Sequence, residues 1–185
     1  NTLLTAAFLG LSLAGAASAE TITVYSAGPK GLIDNLAKGF QAKTGNDVEV
    51  FQATTGKVMA RIEAEASNPV VDILISASWE TAGDFEQRGW LLKYSPAHSD
   101  KVPAFLKTDY AVAQGVSALA LAYNTQSNLP KPSDWSDLAK PEYKDMVTMP
   151  DPAQSGSAFE LVAGLRALNG GKMDLFKALS ANGMI

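Results

Sequence analysis

Residues 71–78 read Val71-Asp72-Ile73-Leu74-Ile75-Ser76-Ala77-Ser78, a near-continuous apolar run that ends in three small residues. Such a run is typical of a strand in a parallel sheet that is covered on both faces. A helix is predicted directly after it, through about Gln87, and Arg88-Gly89 ends that helix. The order is therefore strand, small-residue turn, helix.

The same order occurs twice before residue 71. Residues 21–25 alternate in polarity and are β-rich, which predicts a strand, and the helix after them ends near Thr44-Gly45. Residues 48–51 predict a second strand, followed by a helix to about Ser67. Repeated strand–helix units predict an open parallel α/β sheet with helices on both faces. The apolar positions at helical spacing on the first helix are Leu32, Ile33, Leu36, Ala37 and Phe40.

The second half of the chain contains further strand and helix signals. Residues 110–123 form a long apolar run, which predicts the longest strand, running from one lobe into another. Residues 146–149 predict a strand, and helices are expected over about 158–168 and 173–181. Because Met184-Ile185 resembles the start of another strand, we expect the chain to be truncated. The predicted organisation is a signal peptide (1–19), a first α/β lobe (20–112) and a partial second α/β lobe (113–185).

The first 19 residues carry no charged side chain and contain a short apolar run followed by Ala17-Ser18-Ala19. This pattern predicts a secretory signal peptide, and the run falls short of the roughly 20 residues that a membrane-spanning helix needs. The alternative, a buried N-terminal helix, is disfavoured because a soluble helix normally has a polar face. The predicted location is therefore the periplasm.

Charge and cysteine content exclude several classes of protein. The net charge of −4 disfavours a nucleic-acid partner, which requires a basic patch. The chain has no cysteine, which excludes disulfides, thiolate metal sites and a lipid-anchored N-terminal cysteine.

Four turns share one chemical character, because each consists of small residues with hydroxyls and opens a predicted helix. The carboxyl ends of parallel strands line the ligand crevice of an open α/β sheet. The first turn of a helix there offers unpaired backbone N–H groups and the positive end of the helix dipole, which together suit an anion. The turns are Ser26-Ala27-Gly28, Thr54-Thr55-Gly56, Ser76-Ala77-Ser78 and Ser155-Gly156-Ser157.

Serine and threonine are also ordinary N-caps, so one such turn alone has no functional meaning. Four at corresponding positions favour a polar or anionic ligand, and we expect hydroxyls from all four turns to line one crevice. Trp79 follows the third turn and either lines that crevice or packs against its helix. The hydroxyls expected to meet are those of Ser26, Thr55, Ser76 and Ser157.

No enzyme motif is complete. Thr55-Gly56-Lys57 matches the end of a nucleotide-binding P-loop, but Phe51 stands where that motif requires glycine. Gly156-Ser157 lacks the flanking glycines of a nucleophile elbow. His98 is the single histidine and is predicted to be a solvated loop residue. Because no base lies beside a nucleophile, we predict a binding protein without catalytic residues, cofactor or metal.

From Glu20 to Ile185 the chain resembles the extracellular solute-binding proteins of ABC importers, in the group that includes ferric-ion and phosphonate binders. The resemblance implies a type 2 periplasmic binding protein fold, of which this chain holds the first lobe and part of the second. It also implies a monomer that closes on a solute and delivers it to a membrane permease and its ATPase. The motifs are residues 22–26, 43–45, 71–74, 121–125 and 149–152, then Trp135 with Leu138 and Pro141, Tyr143-Lys144, and residues 155–159.

The resemblance also bears on the ligand. In the ferric binders, a His or Tyr in the first turn and, in some members, a Glu after the third strand help to hold the metal. Residues 26–30 and 76–78 offer no such ligand here, whereas Ser155-Gly156-Ser157 matches the place where relatives hold an anion. The favoured ligand is a small organic anion, such as a phosphonate, a phosphate ester or a carboxylate. Ferric iron is the second possibility, since the paired tyrosines of that group would lie past Ile185. Two further functions stay open, a secreted α/β enzyme and a sensory receptor of the same fold.

Overall fold

The computed structural model describes residues 19–185, which contain one parallel sheet of three strands. Its strands are β1 (Thr21–Ser26), β2 (Asp47–Gln52) and β3 (Ile73–Ile75), in the order β2-β1-β3. The whole of β1 pairs with β2, and its last three residues, from Val24 onward, pair with β3. The three predicted strands and their parallel arrangement are confirmed.

A helix follows each strand of the sheet, as predicted. These are α1 (Lys30–Thr44), α2 (Thr55–Ala64) and α3 (Glu80–Gln87). Gly45 ends α1 with a φ of 77°, a left-handed conformation that glycine adopts at little steric cost. Two later helices, α4 (Gly156–Leu168) and α5 (Asp174–Ala181), agree with the predicted pair. Short 3₁₀ turns lie at Ser99–Lys101, Ala104–Leu106, Trp135–Ala139 and Pro141–Tyr143.

The core of the first region lies between the sheet and the helices α2 and α3. Tyr25 of β1 packs there with Val58, Ile62 and Phe85. The Tyr25 hydroxyl donates a hydrogen bond of 2.7 Å to Oε2 of Glu65, directly after α2. This hydrogen bond holds the pKa of the Glu65 carboxyl below its usual value, and burial raises the pKa of Tyr25. Strand and helix are therefore joined by packing and by a charge-assisted hydrogen bond.

The apolar positions of α1 are buried to different degrees. Ile33 is buried, but Leu32, Leu36 and Phe40 are 44%, 50% and 39% exposed. The helical spacing of these positions is confirmed, and within the described part of the chain no segment fully covers that side of the helix.

The predicted strand over residues 110–123 is wrong. Among residues 19–185 this segment forms only an isolated antiparallel bridge, between Lys107 and Val112, and residues 113–123 join no strand. An apolar run becomes a strand only when a neighbouring segment accepts its backbone hydrogen bonds. The backbone N–H of Ala113 instead donates to the Leu106 carbonyl, 2.9 Å away, within a local turn.

The predicted strands over 146–149 and 184–185 meet at a single point. The Ile185 N–H donates to the Val147 carbonyl at 3.1 Å, and the Met149 N–H donates to the Ile185 carbonyl at 2.8 Å. These two hydrogen bonds join the segments at one position, which is too short a contact to form a strand. The boundary between lobes at residue 112 stays a prediction.

Hydrogen bonds to side chains organise residues 133–182. The Asp137 carboxylate accepts from the Ser133 hydroxyl and N–H, both at 2.9 Å, and pairs with Lys140 Nζ at 2.6 Å. These partners, Lys140 first, hold the pKa of Asp137 far below its usual value. Asn182 Nδ2 donates to the Leu138 and Lys140 carbonyls, which ties the end of α5 to this turn. In the region that the structure describes, no helix combines the length and the apolar character that a membrane crossing requires.

Candidate functional site

The carboxyl ends of the three strands bring the first three predicted turns together. The Ala27 N–H donates to the Ile75 carbonyl at 2.8 Å, and the Ala53 N–H donates to the Ser26 carbonyl at 3.0 Å. The Gln52 side chain also donates to the Gly28 carbonyl at 2.6 Å. The first turn therefore lies between the second and the third, at one edge of the sheet.

The fourth turn reaches the same place although it is about a hundred residues later in the chain than the second. The Gly56 N–H donates to the Gln154 carbonyl at 3.1 Å. A Cβ on Gly156 would lie 2.8 Å from Thr55 Oγ1 and 3.2 Å from Ser78 Cβ, and a Cβ on Gly56 would overlap the Ala153 carbonyl oxygen. A side chain at Gly56 would therefore overlap backbone, and one at Gly156 would crowd Thr55 and Ser78, because the second, third and fourth turns pack closely together.

Several hydroxyl groups of these turns form hydrogen bonds within their own turn. Ser26 is fully buried, and its Oγ accepts from the Gly28 N–H at 3.1 Å. Ser76 Oγ accepts from the Ser78 N–H at 3.1 Å and shares a hydrogen bond of 2.9 Å with Thr81 Oγ1. The ordinary structural role of serine in a turn accounts for both side chains.

The second and fourth turns contain true helix caps. Thr54 Oγ1 accepts from the Lys57 N–H at 3.4 Å at the start of α2. Ser155 Oγ accepts from the Ala158 N–H at 3.3 Å at the start of α4. Such caps satisfy one of the unpaired N–H groups of a helix start, so these two side chains act first as structural residues.

The start of α3 is filled by a carboxylate from another helix. Oε1 of Glu160, on α4, accepts from the Ser78 hydroxyl at 2.5 Å and from the Glu80 N–H at 3.3 Å. Sequence reasoning missed Glu160, because a glutamate in the second turn of a helix shows no local sign that it contacts a segment 82 residues away.

The start of α4 keeps two backbone donors available. Within residues 19–185 the N–H groups of Gly156 and Ser157 have no acceptor, since the Ala158 and Phe159 N–H groups take the oxygens of Ser155. Gly156 is buried and Ser157 is exposed. The helix is 13 residues long, so its dipole adds a positive partial charge at these groups.

The remaining predicted residues lie around this point without contacts that define a role. Ala27 and Gly28 are half-buried, as is Thr55, and Ala77 is exposed. Trp79 directly precedes α3 and is 40% exposed, so both of its predicted roles stay open. His98 is exposed beside a 3₁₀ turn, in agreement with its prediction as a solvated loop residue.

A cavity of about 430 Å³ lies beside the meeting point of the turns. The carboxylates in its wall disfavour an anionic ligand. Arg88 forms ion pairs with two of them, Glu63 at 3.1 Å and Asp84 at 2.9 Å. Gly156 also lines this cavity, so the donors at the start of α4, which have no acceptor within residues 19–185, are the part of its wall that suits an anion. The lining includes Thr55, Gly56, Ser78 and Gly156 of the predicted residues, the carboxylates Glu63, Glu80 and Asp84, and Phe159.

In the described part of the chain, no three His, Cys, Asp or Glu side chains come close enough together to hold a metal ion. The candidate site has two polar features at helix starts. One is the pair of N–H groups of Gly156 and Ser157 at α4, and the other is the Glu160 carboxylate at α3.

Comparison with known proteins points to one family. The sequence profile of the bacterial extracellular solute-binding proteins matches residues 22–184. A probable ABC transporter periplasmic-binding protein of Sinorhizobium fredii is 29% identical over 137 residues, which cover 69% of this chain and 37% of that protein.

Two solved structures share the fold. The periplasmic binding protein AfuA from Actinobacillus pleuropneumoniae, with exogenous fructose-6-phosphate bound, has a TM-score of 0.76 at 23% identity, over 89% of this chain and 57% of that one. Iron-bound HitA from Pseudomonas aeruginosa has a TM-score of 0.71 at 22% identity, over 90% and 56%. The predicted type 2 periplasmic binding protein fold is confirmed, and the chain spans little more than half the length of these two relatives.

Proposed function

The chain belongs to the bacterial extracellular solute-binding proteins, and from that premise we propose that it captures a small anionic solute for an ABC importer. The family and the solved relatives are binding proteins, which confirms the expectation that the chain is not an enzyme. The proposed solute is a phosphonate, a phosphate ester or a carboxylate. The fructose-6-phosphate bound to AfuA supports this chemistry, because that ligand is a phosphate ester.

The observation that carries the proposal is the pair of N–H groups at Gly156 and Ser157 that have no acceptor among the described residues, 19–185. Helix starts bind phosphate and carboxylate groups through such donors and through the helix dipole. The small residues of the neighbouring turns leave space for a ligand to approach the backbone. The proposed site comprises Ser26, Ala27, Gly28, Thr54, Thr55, Gly56, Ser76, Ala77, Ser78, Trp79, Ser155, Gly156 and Ser157.

The partners and the location follow from the same proposal. The protein would work as a monomer in the periplasm, exported by a signal peptide that, apart from Ala19, lies outside the described residues. It would pass its solute to a membrane permease and its ATPase, as the name of the Sinorhizobium relative supports. The two lobes, residues 20–112 and 113–185, would close around the solute.

Ferric iron is the second candidate ligand, because the fold is also that of iron-bound HitA. The resemblance to the ferric binders would place a His, Tyr or Glu ligand in the first and third turns, and residues 26–30 and 76–78 offer none. The anion therefore remains the favoured solute.

Calorimetric titration with fructose-6-phosphate, methylphosphonate and ferric citrate tests the proposal. We expect one of the two phosphorus-containing anions to bind, and Ser157→Ala to weaken that binding by about 1 kcal/mol or more, because the variant loses a hydroxyl that can donate a hydrogen bond to a charged group. Ser180→Ala, which alters an exposed serine of α5, is the matched control and should leave the affinity unchanged. Binding of ferric citrate, without binding of citrate or of either phosphorus-containing anion, would contradict the proposal. Equal affinities of Ser157→Ala and the control would remove the Ser157 hydroxyl from the proposed site.

A further inference from the structure

Glu160 lies one helical turn after Gly156 on α4, and its carboxylate reaches across to the start of α3. One oxygen, Oε1, accepts from the Ser78 hydroxyl at 2.5 Å and from the Glu80 N–H at 3.3 Å. Ser78 is only 9% exposed, and its own N–H is held by Ser76 Oγ at 3.1 Å. The carboxylate therefore contacts a buried serine whose own backbone N–H is held by a further hydrogen bond.

A carboxylate at this place has the chemistry of the anionic group that the fold is proposed to bind. It accepts hydrogen bonds from a backbone N–H and a serine hydroxyl at a helix start, where the helix dipole favours negative charge. The third turn therefore already holds an anion, which the protein itself supplies, while the fourth turn does not.

The position of Glu160 also matters for the fourth turn. Ser157 and Glu160 are three residues apart on α4, so their side chains share one face of the helix. A freely moving carboxylate there would place negative charge beside the N–H groups of Gly156 and Ser157. Hydrogen bonds to Ser78 and Glu80 hold that charge at α3 instead.

We propose that Glu160 is a specificity-determining residue that occupies the third turn as an internal anion and directs the anionic group of the solute to Gly156 and Ser157. The proposal rests on the proposed function of the same site. It implies that the start of α3 accepts an external anion only after the Glu160 carboxylate is removed.

The experiment measures hydrogen exchange of the Glu80 amide by NMR in the wild type, Glu160→Ala and Glu160→Gln, with and without inorganic phosphate. We expect exchange in Glu160→Ala to be at least about tenfold faster than in the wild type, because the amide loses a charged acceptor. Phosphate should slow it again in Glu160→Ala and leave it unchanged in the wild type. Unaltered exchange in Glu160→Ala, or no effect of phosphate on that variant, would overturn the proposal.

Glu160→Gln keeps an acceptor oxygen without the charge, so it provides a test even where Glu160→Ala fails to fold. Its Glu80 amide should stay protected, and phosphate should bind at Gly156 and Ser157 about threefold more tightly than in the wild type, because a nearby negative charge is removed. Unchanged phosphate affinity in Glu160→Gln would count against the proposal.

Failure of the proposed function gives a different result. In that case neither phosphate nor fructose-6-phosphate shifts the Gly156 and Ser157 amide signals of the wild type. The difference in Glu80 exchange between wild type and Glu160→Ala, and the phosphate effect on that variant, would still decide whether Glu160 occupies the third turn.

Discussion

The starts of α3 and α4 follow turns of nearly the same composition, Ser76-Ala77-Ser78 and Ser155-Gly156-Ser157, yet their backbone donors have different partners. At α3 the Glu80 N–H donates to Glu160, whereas at α4 the N–H groups of Gly156 and Ser157 have no acceptor within residues 19–185. A local sequence pattern can identify where a helix offers donors. Only a tertiary contact decides whether those donors remain available to a ligand.

The largest effect should come from Gly156, where the fourth turn touches the second and third turns. Gly156→Ala would place a methyl group 2.8 Å from Thr55 Oγ1, and we expect it to lower the free energy of unfolding by about 1–3 kcal/mol through overpacking. Urea denaturation measures the change.

The matched control is Gly164→Ala in the same helix, where a Cβ meets no atom within 4 Å. It should raise the free energy of unfolding by about 0.5–1 kcal/mol, because alanine favours a helix over glycine. Similar destabilisation by both substitutions would show that the fourth turn does not pack against the second and third. The comparison between the starts of α3 and α4 would then have no structural basis.

A smaller difference in the free energy of unfolding should distinguish Ser155, which caps α4, from Ser157, which is proposed to bind the ligand. Ser155→Ala removes the acceptor of the Ala158 N–H and should lower the free energy of unfolding by about 1 kcal/mol. Ser157→Ala changes an exposed residue without a capping bond and should stay within about 0.5 kcal/mol of the wild type. Thermal or urea unfolding of the two variants provides the test, and a larger loss for Ser157→Ala would reverse their assigned roles.

The sheet of the first region could be predicted from sequence because each strand signal is followed by a turn and a helix. The sequence predicts the strands and their parallel sense in this way, but not their order, because β1 pairs with both β2 and β3. The end of α1 at Gly45 was also readable, since a glycine after Lys43-Thr44 marks a helix end.

Other predictions failed because they depended on a second segment. Residues 113–123 are apolar enough for a strand, but composition does not specify which backbone would pair with them. Helical spacing placed Leu36 among the apolar positions of α1, but it does not specify how far other segments cover them, and within the described region Leu36 is 50% exposed. Glu160 was missed for the same reason, because its partners Ser78 and Glu80 lie about 80 residues away.

The central claim is that backbone N–H groups at the start of α4 hold the anion, and Ser157→Pro tests it most directly. Proline removes the N–H of residue 157 and is tolerated in the first turn of a helix, so the fold should survive. Calorimetry with fructose-6-phosphate and inorganic phosphate should show that Ser157→Pro binds at least about tenfold more weakly than Ser157→Ala, which loses only the hydroxyl. Equal affinities of the two variants, with unchanged unfolding free energies, would contradict the claim.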